Sequence, residues 1–261
     1  MKTTSNFKQL LIKSSALMAL ILLMPISGLA EGSTSTTPSS GSGSSSEFCT
    51  NLSTESAKIT AKVTEQSSKL AAAWTKQDSS ASTKTNDNDQ KVAEARTKSD
   101  NARSSKFTAL EAKASNNAQK QAVQTYEAAV KSAISARRTS YDAAKVIFHN
   151  AVQAAVSAKR TSVNTQLATF NSAVNAAVST AKASCIANPT NGSTIRDTFR
   201  ASMKTAKSTF ESGRSSDTTV GSQVKLLVVT RNSAFKLADT AFQTAMSAAR
   251  DSLKIAFTKA T

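Results

Sequence analysis

An eleven-residue repeat between Tyr126 and Cys185 limits most strongly what this chain can fold into. Large or long side chains recur there in steps of four, four and three residues. The row is Tyr126, Val130, Ile134, Arg137, Tyr141, Lys145, Phe148, Val152, Val156, Lys159, Val163, Leu167, Phe170, Val174, Val178, Ala181 and Cys185. Eleven residues over three turns give about 3.67 residues per turn, so the row stays on one helix face. A strand has a period of two, and the pattern therefore predicts a long α-helix.

A second period of 22 residues accompanies this row, because Phe148 to Ser162 repeats the pattern of Tyr126 to Ser140. The first half of the chain carries a weaker row in steps of four and seven. Its members are Ile59, Val63, Leu70, Trp74, Ala81, Thr85, Val92, Arg96, Arg103, Phe107, Ala114 and Ala118. Residues 78–90 are rich in Ser, Thr, Asn and Asp, which compete with the helical backbone for hydrogen bonds. That composition favours fraying or a loop, whereas the repeat running through the stretch favours at least nascent helix, and the sequence leaves both open.

Two clusters of turn-forming residues divide the repeats into three pieces. They are Ser115-Asn116-Asn117 and the run Asn188-Pro189-Thr190-Asn191-Gly192. The predicted helices are about 49–115, 118–186 and 194–260, with a kink or short loop near 212–217. Three pieces of equal length with short connections favour an all-α fold. We expect an elongated up-down-up three-helix bundle or coiled coil with hendecad repeats.

The two cysteines give an independent test of the first turn. In an antiparallel hairpin, facing residues have a constant sum of residue numbers. Cys49 and Cys185 add to 234, whose midpoint is residue 117. The sequence therefore predicts a Cys49–Cys185 disulfide at the open end of the hairpin. Closing so long a loop stabilises a fold by roughly 4–5 kcal/mol in the chain-entropy model.

The N-terminus resembles a secretory signal peptide. Three lysines precede an apolar run that ends at Pro25, and Gly28-Leu29-Ala30 supplies small residues for cleavage. An uncleaved anchor is the alternative, but Lys13 limits the apolar run to about 11 residues, too short to span a bilayer. We expect a signal peptide at 1–30, a flexible Ser/Thr/Gly linker at 31–48 and a helical region at 49–261. The mature chain has no transmembrane segment, and the predicted location is secreted or associated with the cell envelope.

Apolar residues are few, which argues for a thin core. Val, Ile, Leu and Phe make up 37 of the 231 residues from 31 to 261, a fraction at which many charged chains stay disordered. Here they are phased along the predicted helices, and alanine lets the helices approach closely. Exposed alanine also predicts side-by-side association into homo-oligomers.

No motif for catalysis, cofactor binding or metal binding stands out. The single histidine, His149, lies off the apolar row and has no second histidine to join it. The chain has no Gly-x-Ser-x-Gly elbow, phosphate-binding loop or paired-cysteine motif. We therefore expect a protein that is not an enzyme and that holds no cofactor.

Charge gives the best functional signal. The chain carries 33 Lys and Arg against 17 Asp and Glu. Residues 31–127 have 12 basic and 11 acidic side chains, whereas residues 128–261 have 18 and 6. The predicted anion-binding residues are Arg137, Arg138, Lys159, Arg160 and Lys182, helped by Arg196, Arg200, Lys204 and Lys207. The alternative is that these long side chains only border the apolar stripe.

Three functions remain open on these grounds. The first is a secreted structural or binding protein whose basic face docks on anionic cell-envelope polymer or extracellular nucleic acid. The second is an amphipathic helical protein that acts at a membrane surface. The third rests on Thr64, Thr75, Asn86, Thr97 and Thr108, which recur every eleven residues. This spacing loosely resembles that of Ala-rich helical antifreeze proteins, and the resemblance implies ice or surface binding by the first helix alone.

Overall fold

The computed structural model describes residues 43–215 and 220–259. The described chain forms four helices: α1 (Gly43–Glu111), α2 (Asn117–Ala187), α3 (Gly192–Ser215) and α4 (Val220–Lys259). Within these two ranges there is no strand, which confirms the predicted all-α class. The predicted signal peptide at 1–30 lies outside the described residues.

The helices pack into two units. Unit 1 contains the described residues up to Ser79 together with Ser157–Val220, so it takes in parts of α1 and α2 and the whole of α3. Cys49 near the start of α1 is bonded to Cys185 near the end of α2, and Asp78 further along α1 binds Arg160 further back on α2. The two segments are therefore antiparallel. Its core is one cluster of buried side chains contributed by all three helices: Phe48, Leu52, Val63, Leu70, Val163, Leu167, Phe170, Val174, Ala177, Ala181, Ile195, Phe199, Met203, Ala206 and Phe210.

Unit 2 contains Ser80–Val156 and the chain from Gly221 onward. Its large buried side chains are fewer, and they are Phe107 on α1 with Val123, Val130 and Val152 on α2. The remaining buried apolar positions are alanines, two on α2 and two on α4. Alanine has a small side chain that allows close helix packing, so this unit is held by few large apolar contacts and by the polar contacts described below.

The turn between α1 and α2 is capped by two side chains. The Asn116 side-chain oxygen accepts a hydrogen bond from the Gln119 backbone N–H (2.9 Å), and the Gln119 side-chain oxygen accepts one from the Ser115 N–H (2.7 Å). This reciprocal arrangement satisfies N–H groups that lack partners at a helix start. Gln119 is buried at this point, so the predicted break at Ser115-Asn116-Asn117 is also a packed feature.

The structure moves one predicted boundary and describes two regions for which the sequence left helix and loop open. The predicted linker, 31–48, extends too far, because α1 already begins at Gly43 and Phe48 is a buried member of the unit 1 core. Residues 78–90, for which the sequence left fraying and helix open, are helical throughout. The region predicted as a third helix is described as α3 and α4, and residues 216–219 between them lie outside the described residues.

The Cys49–Cys185 disulfide is present, with the two Cα atoms 5.6 Å apart. Both cysteines are partly buried against the unit 1 core. The bridge links α1 to α2 within unit 1, as the constant sum of residue numbers predicted.

Candidate anion-binding surface

Two residues of the predicted anion-binding group, Arg138 and Arg160, already bind carboxylates of this chain. Arg160 donates two hydrogen bonds to Asp78, at 2.8 and 2.7 Å. Arg138 does the same to Asp100, at 2.8 and 2.9 Å. Both pairs join α2 to α1, the first in unit 1 and the second in unit 2. Bidentate guanidinium–carboxylate pairs are among the strongest and most directional hydrogen bonds in proteins.

A third pair, Arg96 with Asp142 in unit 2, has the same geometry with the partners exchanged between the helices. Its two hydrogen bonds are both 2.8 Å long. The residue numbers of each of the three pairs add to 238. The numbers of directly facing residues, such as Cys49 and Cys185, add to 234. The difference of four shows that each arginine binds a carboxylate about one helical turn away from the residue that directly faces it. We call Arg160–Asp78, Arg138–Asp100 and Arg96–Asp142 the interhelical pairs.

The carboxyl groups of these pairs titrate at lower pH than usual. Hydrogen bonds from Arg138, and secondarily from Arg103, lower the pKa of Asp100 to about 2. The hydrogen bonds from Arg160 lower the pKa of Asp78, and those from Arg96 lower the pKa of Asp142. All three carboxylates are therefore charged at neutral pH and hold their arginines.

Arg137 lies in a different contact, between α2 and α4 in unit 2. Its Nε donates to Asp239 at 2.6 Å, and the Tyr141 hydroxyl donates to the other oxygen of that carboxylate at 2.7 Å. The Tyr141 ring stacks on Phe235 with 4.2 Å between centroids. The hydrogen bond from Tyr141, reinforced by Arg137, lowers the pKa of Asp239, whereas burial raises the pKa of Tyr141. Arg137 is thus part of an interhelical cluster.

The other predicted residues lie in unit 1 and have weaker acidic partners. On α3, Arg196 and Arg200 approach Asp197 at 3.5 and 4.0 Å, and Lys207 approaches Glu211 at 3.9 Å. Lys204 is exposed on the same helix. On α2, Lys182 is exposed and Lys159 is half-buried. The three ion pairs on α3 are therefore longer than the bidentate hydrogen bonds of Arg138 and Arg160.

Sequence reasoning missed the acidic half of the interhelical pairs. Asp78 and Asp100 are 22 residues apart, the same spacing as Arg138 and Arg160. That match was visible in the sequence. Trp74, a member of the weaker row, packs against the unit 1 core, and the Arg160 guanidinium carbon lies 5.5 Å from the centroid of the Trp74 ring.

The threonine row of α1 is exposed at Thr64, Thr75, Thr97 and Thr108. Each hydroxyl donates a hydrogen bond to the carbonyl oxygen four residues earlier. The hydroxyl protons are therefore used within the helix and are not directed to an external surface.

No group of three or more His, Cys, Asp and Glu residues placed to hold a metal ion occurs in the described ranges. His149 is exposed beside the Phe148 ring. Among residues 43–215 and 220–259, no helix has the length and apolarity to cross a membrane. Comparison with protein-family models, curated proteins and solved structures found no match.

Proposed function

We propose that this chain is an extracytoplasmic, non-enzymatic helical protein with a structural role, and that its basic side chains outside the interhelical pairs bind an anionic polymer. The observation that carries the structural part is the set of interhelical pairs. Two parallel hydrogen bonds to one carboxylate form at a single register of the two helices, so the pairs favour that register, each modestly because the carboxylates are about half exposed. The arginines and aspartates of the interhelical pairs thus help to align the helices within each unit.

The disulfide and the predicted signal peptide support the extracytoplasmic part of the proposal. Disulfides persist in oxidising compartments and are rare in the cytosol. The Cys49–Cys185 bridge is the one cysteine pair of the chain, and it closes a loop with a sequence separation of 136. A bridge in this position fits a protein that has to stay folded outside the cell.

We further propose that each unit is a three-helix packing arrangement with a hendecad repeat. Support comes from burial along α2, where every member of the eleven-residue row except Arg137 is buried or half-buried. In unit 1, buried residues also recur eleven apart on each helix. These pairs are Leu52 and Val63, Val163 and Val174, Phe170 and Ala181, Ile195 and Ala206, and Phe199 and Phe210.

The polymer-binding surface that we propose centres on α3 and the adjoining part of α2. Arg196, Arg200, Lys204 and Lys207 follow one another in steps of four, four and three, so they share one flank of α3. The described residues of unit 1 carry 12 basic and 6 acidic side chains, a net charge of +6. The ion pairs of Arg196 and Arg200 with Asp197 are 3.5 and 4.0 Å long, whereas at Arg138 a phosphate or sulfate group would have to displace two hydrogen bonds of 2.8 and 2.9 Å.

Three variants, each replacing basic residues with Gln, test this proposal. The surface variant replaces Lys182, Lys204 and Lys207 with Gln, and the pair variant replaces Arg138 and Arg160 with Gln. The control variant replaces three exposed lysines of α1 with Gln: Lys58, Lys62 and Lys69. Glutamine keeps helix propensity nearly unchanged. Binding to a fluorescent DNA duplex and to dextran sulfate is measured at 50 and 200 mM salt, and melting is followed by circular dichroism.

The surface variant should bind more weakly, and the slope of log affinity against log salt should fall by about one for each lost phosphate contact. Its melting should stay the same. The pair variant should keep its affinity but melt earlier, because it loses two bidentate ion pairs between α1 and α2. Equal losses of affinity in the surface and control variants would show that attraction is diffuse. An unaltered protein that binds neither polymer would leave only the structural role.

A further inference from the structure

A second surface, on α4 in unit 2, combines exposed apolar side chains with a basic border. The exposed fractions are 68% for Leu226, 60% for Val229, 72% for Leu237 and 52% for Ile255. At 100° per residue, Leu226, Leu237 and Ile255 fall within about 20° of one another, and Val229 lies about 60° to one side. The four side chains therefore form one stripe, which we call the α4 stripe.

The α4 stripe faces away from α2. Phe235, which stacks on Tyr141 of α2, lies about 180° around α4 from Leu226. Between Leu237 and Ile255 the stripe continues through exposed small residues, among them Thr244 and Ala248. An apolar face opposite the packed face is unusual on a surface helix, where charged and polar residues are expected.

Three exposed lysines, Lys225, Lys236 and Lys254, line the edge of the stripe next to Val229. The described part of α4 has two carboxylates. One, Asp239, is bound to Arg137 and Tyr141 on the inner side. The other, Asp251, lies on the stripe three residues before Lys254, which is within side-chain reach on a helix. The stripe and its border thus offer apolar surface and positive charge together.

We propose that the α4 stripe docks onto the surface of an anionic lipid bilayer. Helices that lie in the plane of a membrane interface insert an apolar side and place Lys or Arg at the headgroups, and binding grows with both apolar area and anionic lipid. A second copy of this chain fits less well. Two α4 helices packed stripe to stripe bring lysine borders close together, and α4 has 6 basic residues against 2 acidic ones.

The test uses the mature chain and vesicles of phosphatidylglycerol and phosphatidylcholine at 1:3, with pure phosphatidylcholine vesicles for comparison, in flotation assays at 100 mM salt. The apolar variant carries Leu226→Gln, Leu237→Gln and Ile255→Gln. The basic variant replaces the three border lysines with Gln. The control variant carries Val146→Gln and Ile186→Gln, which remove exposed apolar side chains of α2.

The unaltered protein should bind the anionic vesicles and leave the neutral ones. The apolar and basic variants should each bind on the order of 100-fold more weakly, and the control variant should bind within about twofold of the unaltered protein. A Leu237→Trp variant gives a second measurement that keeps a large apolar side chain at this position. The fluorescence of the added indole should shift to the blue with anionic vesicles.

Several results would overturn the proposal. No binding by the unaltered protein would do so directly. Full binding by the apolar variant, or no fluorescence shift from Leu237→Trp, would show adsorption by charge alone. If the apolar variant changes the sedimentation coefficient from dimer to monomer and vesicle binding stays the same, the stripe is covered by a second copy. Loss of DNA binding in the α3 surface variant does not affect this test, because α3 and α4 are altered separately.

Discussion

Removing the Cys49–Cys185 bridge should destabilise the protein more than any surface change considered above. The bridge closes a loop with a sequence separation of 136. In the chain-entropy model, a loop of this length costs the unfolded chain about 17 cal/mol/K, or about 5 kcal/mol at 25 °C. This is a large share of the roughly 5–15 kcal/mol that keeps a typical domain folded. The double substitution Cys49→Ser and Cys185→Ser should therefore remove a large part of the free energy of unfolding.

Urea unfolding measures this loss. With a slope of roughly 2–3 kcal/mol per molar, a loss of about 5 kcal/mol moves the midpoint down by about 2 M. The unaltered protein treated with a reducing agent is the matched control, because it keeps both sulfur atoms in place and loses only the bridge. The reduced protein and the serine variant should shift by similar amounts if the cross-link, and not local packing, supplies the stability.

Two probes separate a loop effect from a local one. Trp74 fluorescence reports on unit 1, where the bridge lies, whereas far-UV circular dichroism reports on all helices. The loop also contains the α1 and α2 segments of unit 2, so the bridge restricts the unfolded chain of both units. A shift in the Trp74 transition alone, or a loss below about 1 kcal/mol by both probes, would refute the chain-entropy reasoning.

Three further predictions follow from contacts of single residues. Since the pKa of Asp100 is about 2 when folded and about 4 when unfolded, its contribution to stability is present above pH 4 and is lost as pH falls through 2; melting temperature should drop from about pH 5 downward, less steeply in Asp100→Asn. Gly221→Ala should raise the free energy of unfolding by up to about 1 kcal/mol in thermal melts, because no atom lies within 4 Å of the added carbon, whereas Gly213→Ala should gain less because it crowds Gln166 at 3.3 Å. Arg160→Lys should cost roughly 0.5–1 kcal/mol, nearly as much as Arg160→Gln, because lysine cannot form the two parallel hydrogen bonds; equal stability to the unaltered protein would contradict this.

The features that the sequence predicted best depend on periodicity and on chain geometry. A hydrophobic period near 3.6 specifies a helix independently of its neighbours, and residues such as Asn116 and Pro189 stop helices for local reasons. The Cys49–Cys185 pairing needed one further assumption, that two antiparallel helices meet at a turn near residue 117. These are properties of single helices and of one connection, and they require no knowledge of side-chain direction.

Residues 78–90 were harder to predict because local preference and context disagree there. The stretch is poor in apolar residues, yet it is helical throughout. Its side chains find partners that a propensity scale does not include. Asp78 accepts two hydrogen bonds from Arg160 of α2, at 2.8 and 2.7 Å. Helices within a protein are stabilised mainly by contacts with their neighbours, so these contacts outweigh weak intrinsic propensity.

The partners of the predicted anion-binding arginines could not be assigned from the 22-residue spacing alone. Spacing shows that Arg138 and Arg160 share a helix face, but not whether that face meets another helix or solvent. An arginine side chain also reaches past the residue directly opposite it. The residue numbers add to 238 for Arg160 and Asp78 but to 234 for the two cysteines. Looking for the residue that directly faces Arg160 therefore does not lead to Asp78.

The described ion pairs that join helices share one pair of residue types, although Arg–Asp pairs also occur within α1 and α3. Between helices, the pairs are all Arg with Asp. Within single helices, the lysine pairs are all with Glu at three or four residues along the chain. The guanidinium is planar and presents paired donors to one carboxylate, whereas an ammonium is a flexible point charge that stays hydrated.

Arginine is therefore suited to fixing one helix against another in this protein, and lysine to remaining at the solvent boundary. A polyanion or an anionic bilayer attracts positive charge wherever it lies, but it binds at lower cost where no short internal hydrogen bond has to be broken. We therefore propose that binding to either partner would depend chiefly on lysines such as Lys182 and Lys204 in unit 1 and Lys225 and Lys236 in unit 2. The recurring arginines instead keep the helices in the register that places those lysines on the surface.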